Sequence, residues 1–329
     1  MSAVKEADPA SPAGSANALS RRRPLGDRGF QILTLVAGLL VLIILALIAI
    51  SMAQQSTTWF TTAGLKGIFS VNWDPATNNF GAMGFLYGTV ICSVIALIIG
   101  VPISVGVALL LTQVVSVRWS RPVVTVIDLL AVVPSVVWGL WGIIVLAPWL
   151  QHIYLHIASA VKGIPVLDTL FGGPNVSGAS FFTAGIILAI MITPIITSLS
   201  REVIATVPAI DKEGAYALGA TRWEMIRGAV WPHSQAGVTG AILVGLGRAL
   251  GETIAVALVI GNSDEITPHL FYSGSSIAAT IALQFGEATG GEFRSALIGL
   301  GLFLFVLTII VNLGARAIVE RSARRTRGA

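Results

Sequence analysis

Charge is what this sequence has least of. Only 11% of its 329 residues are Asp, Glu, Lys or Arg, against about 25% in a soluble domain. With 55% apolar residues as well, the chain reads as a polytopic membrane protein rather than a soluble globule. Cysteine is reduced to one, Cys92, inside an apolar run. That excludes an intrachain disulfide and leaves the redox compartment open; Cys92 reads as a small core residue. Lysine occurs four times, at Lys5, Lys66, Lys162 and Lys212. None completes G-x-x-x-x-G-K-[ST], so ATP hydrolysis through a P-loop of this chain is excluded. The four histidines have no metal-ligand grouping. His152 and His156 are four apart but fall in an expected outer loop without further ligands, so no metal is assigned. No internal repeat is visible, which argues against an inverted-repeat secondary carrier.

What the sequence has instead is long apolar runs. A helix needs about 20 apolar residues to cross a bilayer. Six stretches qualify, roughly Phe30–Ala53, Gly84–Thr112, Val123–Trp149, Phe181–Ala205, Ala236–Ile260 and Ser295–Ile318. The expected fold is therefore an all-α polytopic membrane protein with six transmembrane helices. Residues 1–29 are rich in Ser, Ala, Pro and Arg and read as a disordered tail. Residues 30–320 form the transmembrane domain, and 321–329 a short basic tail. Ser51-Met52-Ala53 resembles a signal-peptidase site, but the apolar core before it is longer than the 7–15 residues of a signal. A retained anchor is expected.

Of the 20 Lys and Arg, Lys66, Lys162 and Arg294 fall in alternate loops and Arg248 lies within a span. All the others fall on the side of the N-terminus. By the positive-inside rule that side is cytoplasmic, and six spans place both termini there. Membrane lipid is the expected surrounding, and nothing points to nucleic acid. Pro102, Pro134 and Pro194 lie within spans, where each removes one hydrogen bond and bends the axis. Bends of this kind are tolerated where protein or a wet cavity satisfies the freed carbonyl.

The largest polar interruption, Glu202 to Pro232, separates the fourth and fifth runs. Lys212 to Leu218 is expected to form one short helix. Gly219 permits the φ > 0 turn of a sharp reversal. Thr221, with Glu224 three residues on, suits a capping box, and Pro232 is expected to stop the second helix. The outcome is a rigid cytoplasmic knuckle presenting Ala215, Tyr216 and Leu218.

The fifth run contains GRALGETIAV, Gly247 to Val256. A charge at mid-membrane costs at least about 2.5–3.5 kcal/mol and is a functional hypothesis by default. Helical spacing puts Arg248 and Glu252 on one face, where they pair with one another or look into a gap. Gly237, Ala241, Gly245 and Ala249, and separately Gly247, Gly251 and Ala255, recur every fourth residue and let another helix approach closely. That helix belongs either to this chain or to another subunit. Arginine is the preferred fork for a tetrahedral oxyanion. A neighbouring glutamate repels an anion unless the anion brings its own proton, as hydrogen phosphate does and sulfate does not.

Three stretches resemble a known family. From Glu213 the spacing is E-G-A, three residues, Gly219, twelve residues, Pro232. It is similar to the EAA loop of ABC importer permeases, E-A-A, three residues, G, nine residues, I-x-L-P. Here Gly214, Ala229 and Trp231 replace the family's alanine, isoleucine and leucine. The segment GRALGETIAVALVIGN resembles the signature of PstC-type phosphate permeases, and DLLAVVPSVVWGLWG, Asp128 to Gly142, resembles their third-span segment. The similarity covers most of residues 84–318.

The resemblance implies a type I ABC importer permease fold in the bacterial inner membrane, paired with a second permease chain of the PstA type. It implies two copies of a PstB-type P-loop ATPase and an extracytoplasmic PstS-type phosphate-binding protein. ATP and magnesium would sit on the ATPase subunits, with no cofactor on this chain. Arg248 and Glu252 map onto the family's phosphate pathway, and Asp128 is a further pathway or structural carboxylate. Glu213, Ala215, Tyr216, Gly219 and Pro232 map onto the surface that couples to the ATPase. The outer mouth is expected from residues 54–83, 150–180 and 261–292. Sulfate, molybdate or tungstate as cargo, an ion-coupled carrier, and a scaffold without transport stay open on residues alone.

Overall fold

A computed structural model of the chain describes residues 25–288 and 290–327. The expected disordered tail therefore lies, for residues 1–24, outside the described residues, as does the end of the basic tail at 328–329. The chain divides into two units, residues 1–50 and 51–329. The first is essentially one helix, α1 (Leu25–Gln55), whose apolar side chains from Phe30 to Ile50 are exposed.

The second unit starts with α2 (Thr57–Ile68), interrupted at Gly64 (φ 60°), and a short antiparallel hairpin, β1 (Trp73–Asp74) and β2 (Asn79–Phe80). α3 (Met83–Leu109) follows and runs into a π-helical turn at Leu110–Val114. Next come α4 (Val117–Val132), α5 (Ser135–Trp141), a second π turn at Gly142–Leu146, α6 (Ala147–Val161) and α7 (Pro165–Phe171). α8 (Phe181–Ala205) precedes α9 (Ala209–Ala217), α10 (Arg222–Met225) and a third π turn at Ile226–Val230. α11 (Trp231–Gly251), α12 (Ile254–Val259), α13 (Ile277–Gln284) and α14 (Gly291–Arg327) complete the chain. Among the described residues, five helical stretches are long and apolar enough to cross a membrane: Arg28–Gln55, Met83–Val114, Ser135–Val161, Phe181–Ala205 and Gly291–Ala317.

Two of the six expected spans are corrected. The run Val123–Trp149 is not one helix. Val133 is extended (ψ 126°) before Pro134, because a proline ring pushes the preceding residue out of the helical region. The membrane-length helix is Ser135–Val161, so it extends beyond Trp149 and takes His152 and His156 into α6 instead of a loop. The run Ala236–Ile260 is likewise broken, at Glu252 and Thr253, into α11 and α12.

The core is built on α8. Ile187, Leu188, Ile192 and Ile196 are fully buried and meet α3, α11 and α12. Glycine sets these approaches: a Cβ on Gly185 would sit 2.4 Å from Ile95, and one on Gly245 2.6 Å from Ile196. Between α3 and α8, the Ser104 hydroxyl donates to the Thr193 carbonyl and the Thr197 hydroxyl to the Ser104 carbonyl, each at 3.3 Å.

The connecting segments at the other end from α9 and α10 are folded. Trp59, Trp73, Phe80 and Phe85 form a second cluster with Leu297 and Leu300 of α14. The Trp59 indole donates to the Phe80 carbonyl at 2.9 Å, and the Trp73 indole to Gln284 at 2.8 Å. A third cluster joins Tyr154 of α6, its ring 4.0 Å from and stacked on Phe271.

Candidate functional site

The segment between α8 and α11 is a tight helical corner. α9 ends at Ala217, and Gly219 takes φ +80°. The Ala220 amide donates to the Ala215 carbonyl and the Gly219 amide to Tyr216, the paired bonds that close a helix on a left-handed glycine. Thr221 then caps α10. Its hydroxyl accepts from the Glu224 amide, while the Thr221 amide donates to the Glu224 carboxylate at 2.8 Å. The Thr221 amide, and then its hydroxyl donating at 2.8 Å, hold the Glu224 carboxyl below its ordinary range.

The corner is anchored from within. Met225, Ile226 and Val230 are buried against Ala108 of α3, Ile204 of α8 and Val238 of α11. Ala215, expected on the outer surface, is half-buried against the same cluster. Glu213 and Tyr216 are exposed, and Leu218 is 91% exposed. Sequence reasoning missed two further exposed apolar side chains of this surface, Ile210 at 75% and Trp223 at 67%. The signal was there, since both are large and apolar inside a polar loop.

Pro232 does not stop a helix. Backbone torsions are helical through Val230 and Trp231, and α10 runs into α11 through the π turn, where the Trp231 amide reaches back to the Ile226 carbonyl. A proline in a regular helix clashes with the carbonyl four residues before it. A wider turn ahead of Pro232 relieves that clash, so the corner is continuous with α11.

Two predictions test this corner. Valine at Gly219 forces a β-branched residue into left-handed geometry at a cost of about 1–2 kcal/mol. Gly219→Val is expected to lower the thermal stability of the purified chain while it still inserts; an unchanged melting temperature would show that the corner tolerates reshaping. The Glu224 carboxyl has a depressed pKa in the folded state, so its capping is fully present above the ordinary carboxylate range and is lost as pH falls through the lowered value. In a protein labelled at Glu224, the carbon-13 titration midpoint is expected below that of the same residue in an unfolded peptide.

The charged stretch of α11 is arranged differently from a helical ion pair. Arg248 is exposed in the last turn of α11, where a cation complements the negative end of the helix dipole. Glu252 lies beyond the helix end with extended torsions (ψ 129°), and its carboxylate accepts from the Ala255 amide at 3.4 Å, capping the start of α12. Among the described residues no ion pair within 4.0 Å joins it to Arg248. The expected placement of both side chains on one helical face is thus corrected, because the helix stops between them.

The two small-residue stripes also separate. Gly237, Ala241, Gly245 and Ala249 face α8 of the same chain; a Cβ on Gly237 would lie 2.4 Å from Val203. Gly247 and Gly251 have open space where a Cβ would point, as does Gly240. Gly240, Val244, Arg248 and Gly251 of α11 are exposed, and α14 of the same chain borders this side of the helix between Gly240 and Gly247. Ala255 is buried on α12, and Gly139 of α5 packs against it. Asp128 is exposed on α4, a helix without a buried residue, and has no partner among the described residues. The structure does not bring it into contact with Arg248. No group of three metal-ligating side chains is present among the described residues.

A family profile for the binding-protein-dependent transport system inner membrane component matches residues 100–328, a region that contains the corner, α8 and α11. The chain belongs to that family. Within it, the permease is 44% identical over 327 residues to the phosphate transport system permease protein PstC of Mesorhizobium japonicum, covering 99% of both chains. It is 43% identical to PstC of Xylella fastidiosa strain Temecula1, covering 91% of this chain and 92% of the relative. Identities of this size over the whole length make the permease one of the PstC type.

Among solved structures, a bacterial ABC transporter involved in import of the acidic polysaccharide alginate superposes with TM-score 0.57 at 15% identity. The match covers 89% of this chain and 96% of that one. It shows a shared permease fold, in agreement with the type I importer architecture expected from sequence.

Proposed function

We propose that this permease forms half of the translocation pathway of an ATP-driven inorganic phosphate importer and works by alternating access. The observation that carries the reading is Arg248. It is exposed and has no partner among the described residues, and Val244 and Gly251 beside it on α11 are exposed too. An arginine so placed is not spent on a structural ion pair. In an apolar setting its fork of donors is available to an oxyanion. The sequence relatives named above are phosphate transport permeases, which supports phosphate as the cargo.

The second half of the pathway would be a related PstA-type permease seated against the exposed side of α11 that carries Arg248. An extracytoplasmic binding protein of the PstS type would deliver phosphate at the end formed by α2, the hairpin, α7 and α13. ATP and magnesium would bind two PstB-type ATPase subunits docked on the corner, through Ile210, Tyr216, Leu218 and Trp223. Glu213 stands exposed on the same surface. Because Met225 and Ile226 are embedded between α3, α8 and α11, closure of the ATPase pair would move those helices as one body. Both termini would lie in the cytoplasm. Glu252, free of Arg248, would meet the protonated oxygen of hydrogen phosphate, which sulfate lacks. Asp128 would line the same route from α4.

The test is uptake of radiolabelled phosphate into vesicles holding the assembled transporter, with ATP inside. Uptake is expected to need ATP, to stop with vanadate, and to persist in excess sulfate. Uptake driven by an ion gradient without ATP would sink the importer reading, and full competition by sulfate would sink the cargo.

A further inference from the structure

Below Arg248, toward the corner, α11 and α14 enclose a groove of about 510 Å³ lined by Ala236, Gly240, Leu243, Val244, Gly247, Asn312 and Arg316. Small-molecule sites span about 300–1,000 Å³. We infer that this groove is a second oxyanion station, in which Arg316 and Asn312 receive the phosphate that leaves Arg248 on its way to the cytoplasm. The inference rests on the phosphate-pathway reading and adds a second site to it.

The chemistry of the wall is selective. Asn312 and Arg316 are one turn apart on α14 and so project from the same face. Together they offer an amide and a guanidinium fork, a donor set suited to a tetrahedral anion. Neither has a hydrogen-bond or ion-pair partner among the described residues. The opposite wall keeps out of the way, since no atom lies within 4 Å of a Cβ built on Gly240 or Gly247. An arginine serving only to mark the end of a span extends to the headgroups, whereas Arg316 lines the groove beside the small residues of α11.

Position supplies the second argument. Gly240 is eight residues before Arg248 on one helix, about 12 Å along its axis. An anion released by Arg248 with no further cation would cross that distance in a low-dielectric gap, where its charge is costly. Passage is fast when sites are several and individually weak. Arg248 on α11 and Arg316 on α14, in the groove that runs from Gly247 toward the corner, supply two such sites.

The experiment uses the complete transporter reconstituted in phosphatidylcholine vesicles, with and without phosphatidylglycerol, and reads labelled phosphate uptake per assembled complex. Arg316→Gln is expected to lower the maximal rate about tenfold, the loss of one charged hydrogen bond. The half-saturating external concentration should hold, because delivery precedes this station. Arg316→Lys should retain most of the rate, and Asn312→Leu should lose it several-fold. The defect should be the same in both lipids.

A normal rate per complex for Arg316→Gln and Asn312→Leu, even with poorer assembly, would overturn the inference and leave Arg316 a topological charge. A defect confined to vesicles with phosphatidylglycerol would overturn it in favour of a lipid headgroup. The parent protein decides the cargo separately. If it moves sulfate and not phosphate, the cargo reading falls, while the ratio of variant to parent with the transported anion still decides whether Arg316 is a station.

Discussion

Arg248→Gln is expected to lower ATP-driven phosphate uptake by about a hundredfold at unchanged membrane abundance. Glutamine keeps the length and polarity of the side chain but removes the charge and the fork. Two charged hydrogen bonds to one oxyanion are worth about 1.5–3 kcal/mol each, and a hundredfold corresponds to roughly 2.7 kcal/mol. Folding should not suffer, since Arg248 is exposed and unpaired and the substitution relieves the cost of a charge at that depth. Glu252→Gln is expected to behave differently. The amide oxygen still caps α12, so the break is retained, but the carboxylate that would meet a phosphate proton is gone. Uptake should fall less, and sulfate should begin to compete. Rates equal to the parent for both variants would remove these residues from the pathway.

A leucine at a crowded position of α11 and one at an open position should have opposite consequences. At Gly237 the new side chain meets Val203, with a Cβ only 2.4 Å from the nearest methyl. Overpacking of this kind costs about 1–3 kcal/mol or more, and Gly237→Leu is expected to lower the thermal stability and yield of the isolated chain. At Gly247 nothing lies within 4 Å. Gly247→Leu is expected to leave the isolated chain as stable as the parent while abolishing phosphate uptake, because the leucine fills the groove beside α14 and the proposed pathway next to Arg248. Thermal melting of the purified chain and uptake by the complex read the two effects separately. Equal melting of both variants, or uptake by Gly247→Leu at the parent rate, would contradict this division of the helix.

Much of the local architecture was legible in the residues. The corner after α8 was readable down to its bonds: Gly219 takes the left-handed torsion, and Thr221 and Glu224 form the capping box. These features depend on neighbours within a few positions, and local chemistry decides them. The membrane class followed from composition, and the span-length runs starting at Phe30, Gly84, Phe181 and Ser295 coincide with membrane-length helices.

Hydropathy failed where it counts apolar residues without regard to backbone. It ran through Val133 and Pro134, where the ring of proline forces an extended residue, and through Glu252 and Thr253, where a carboxylate caps a new helix. Reading proline as a helix stop failed at Pro232, where a π turn carries the helix onward.

By itself, then, the sequence determined that the chain lives in a membrane, that it carries a glycine-hinged polar corner, and that a guanidinium is held within an apolar run. The tertiary structure alone decided which stripe of α11 is packed against α8, that Arg248 and Glu252 serve different helix ends, and that Arg316 returns from the far end of the chain to a groove beside α11. The physical reason is reach. Capping and turn bonds close within one or two turns, whereas the choice of which helical face is buried depends on residues such as Val203, Ile196 and Asn312, brought there by packing over long stretches of chain.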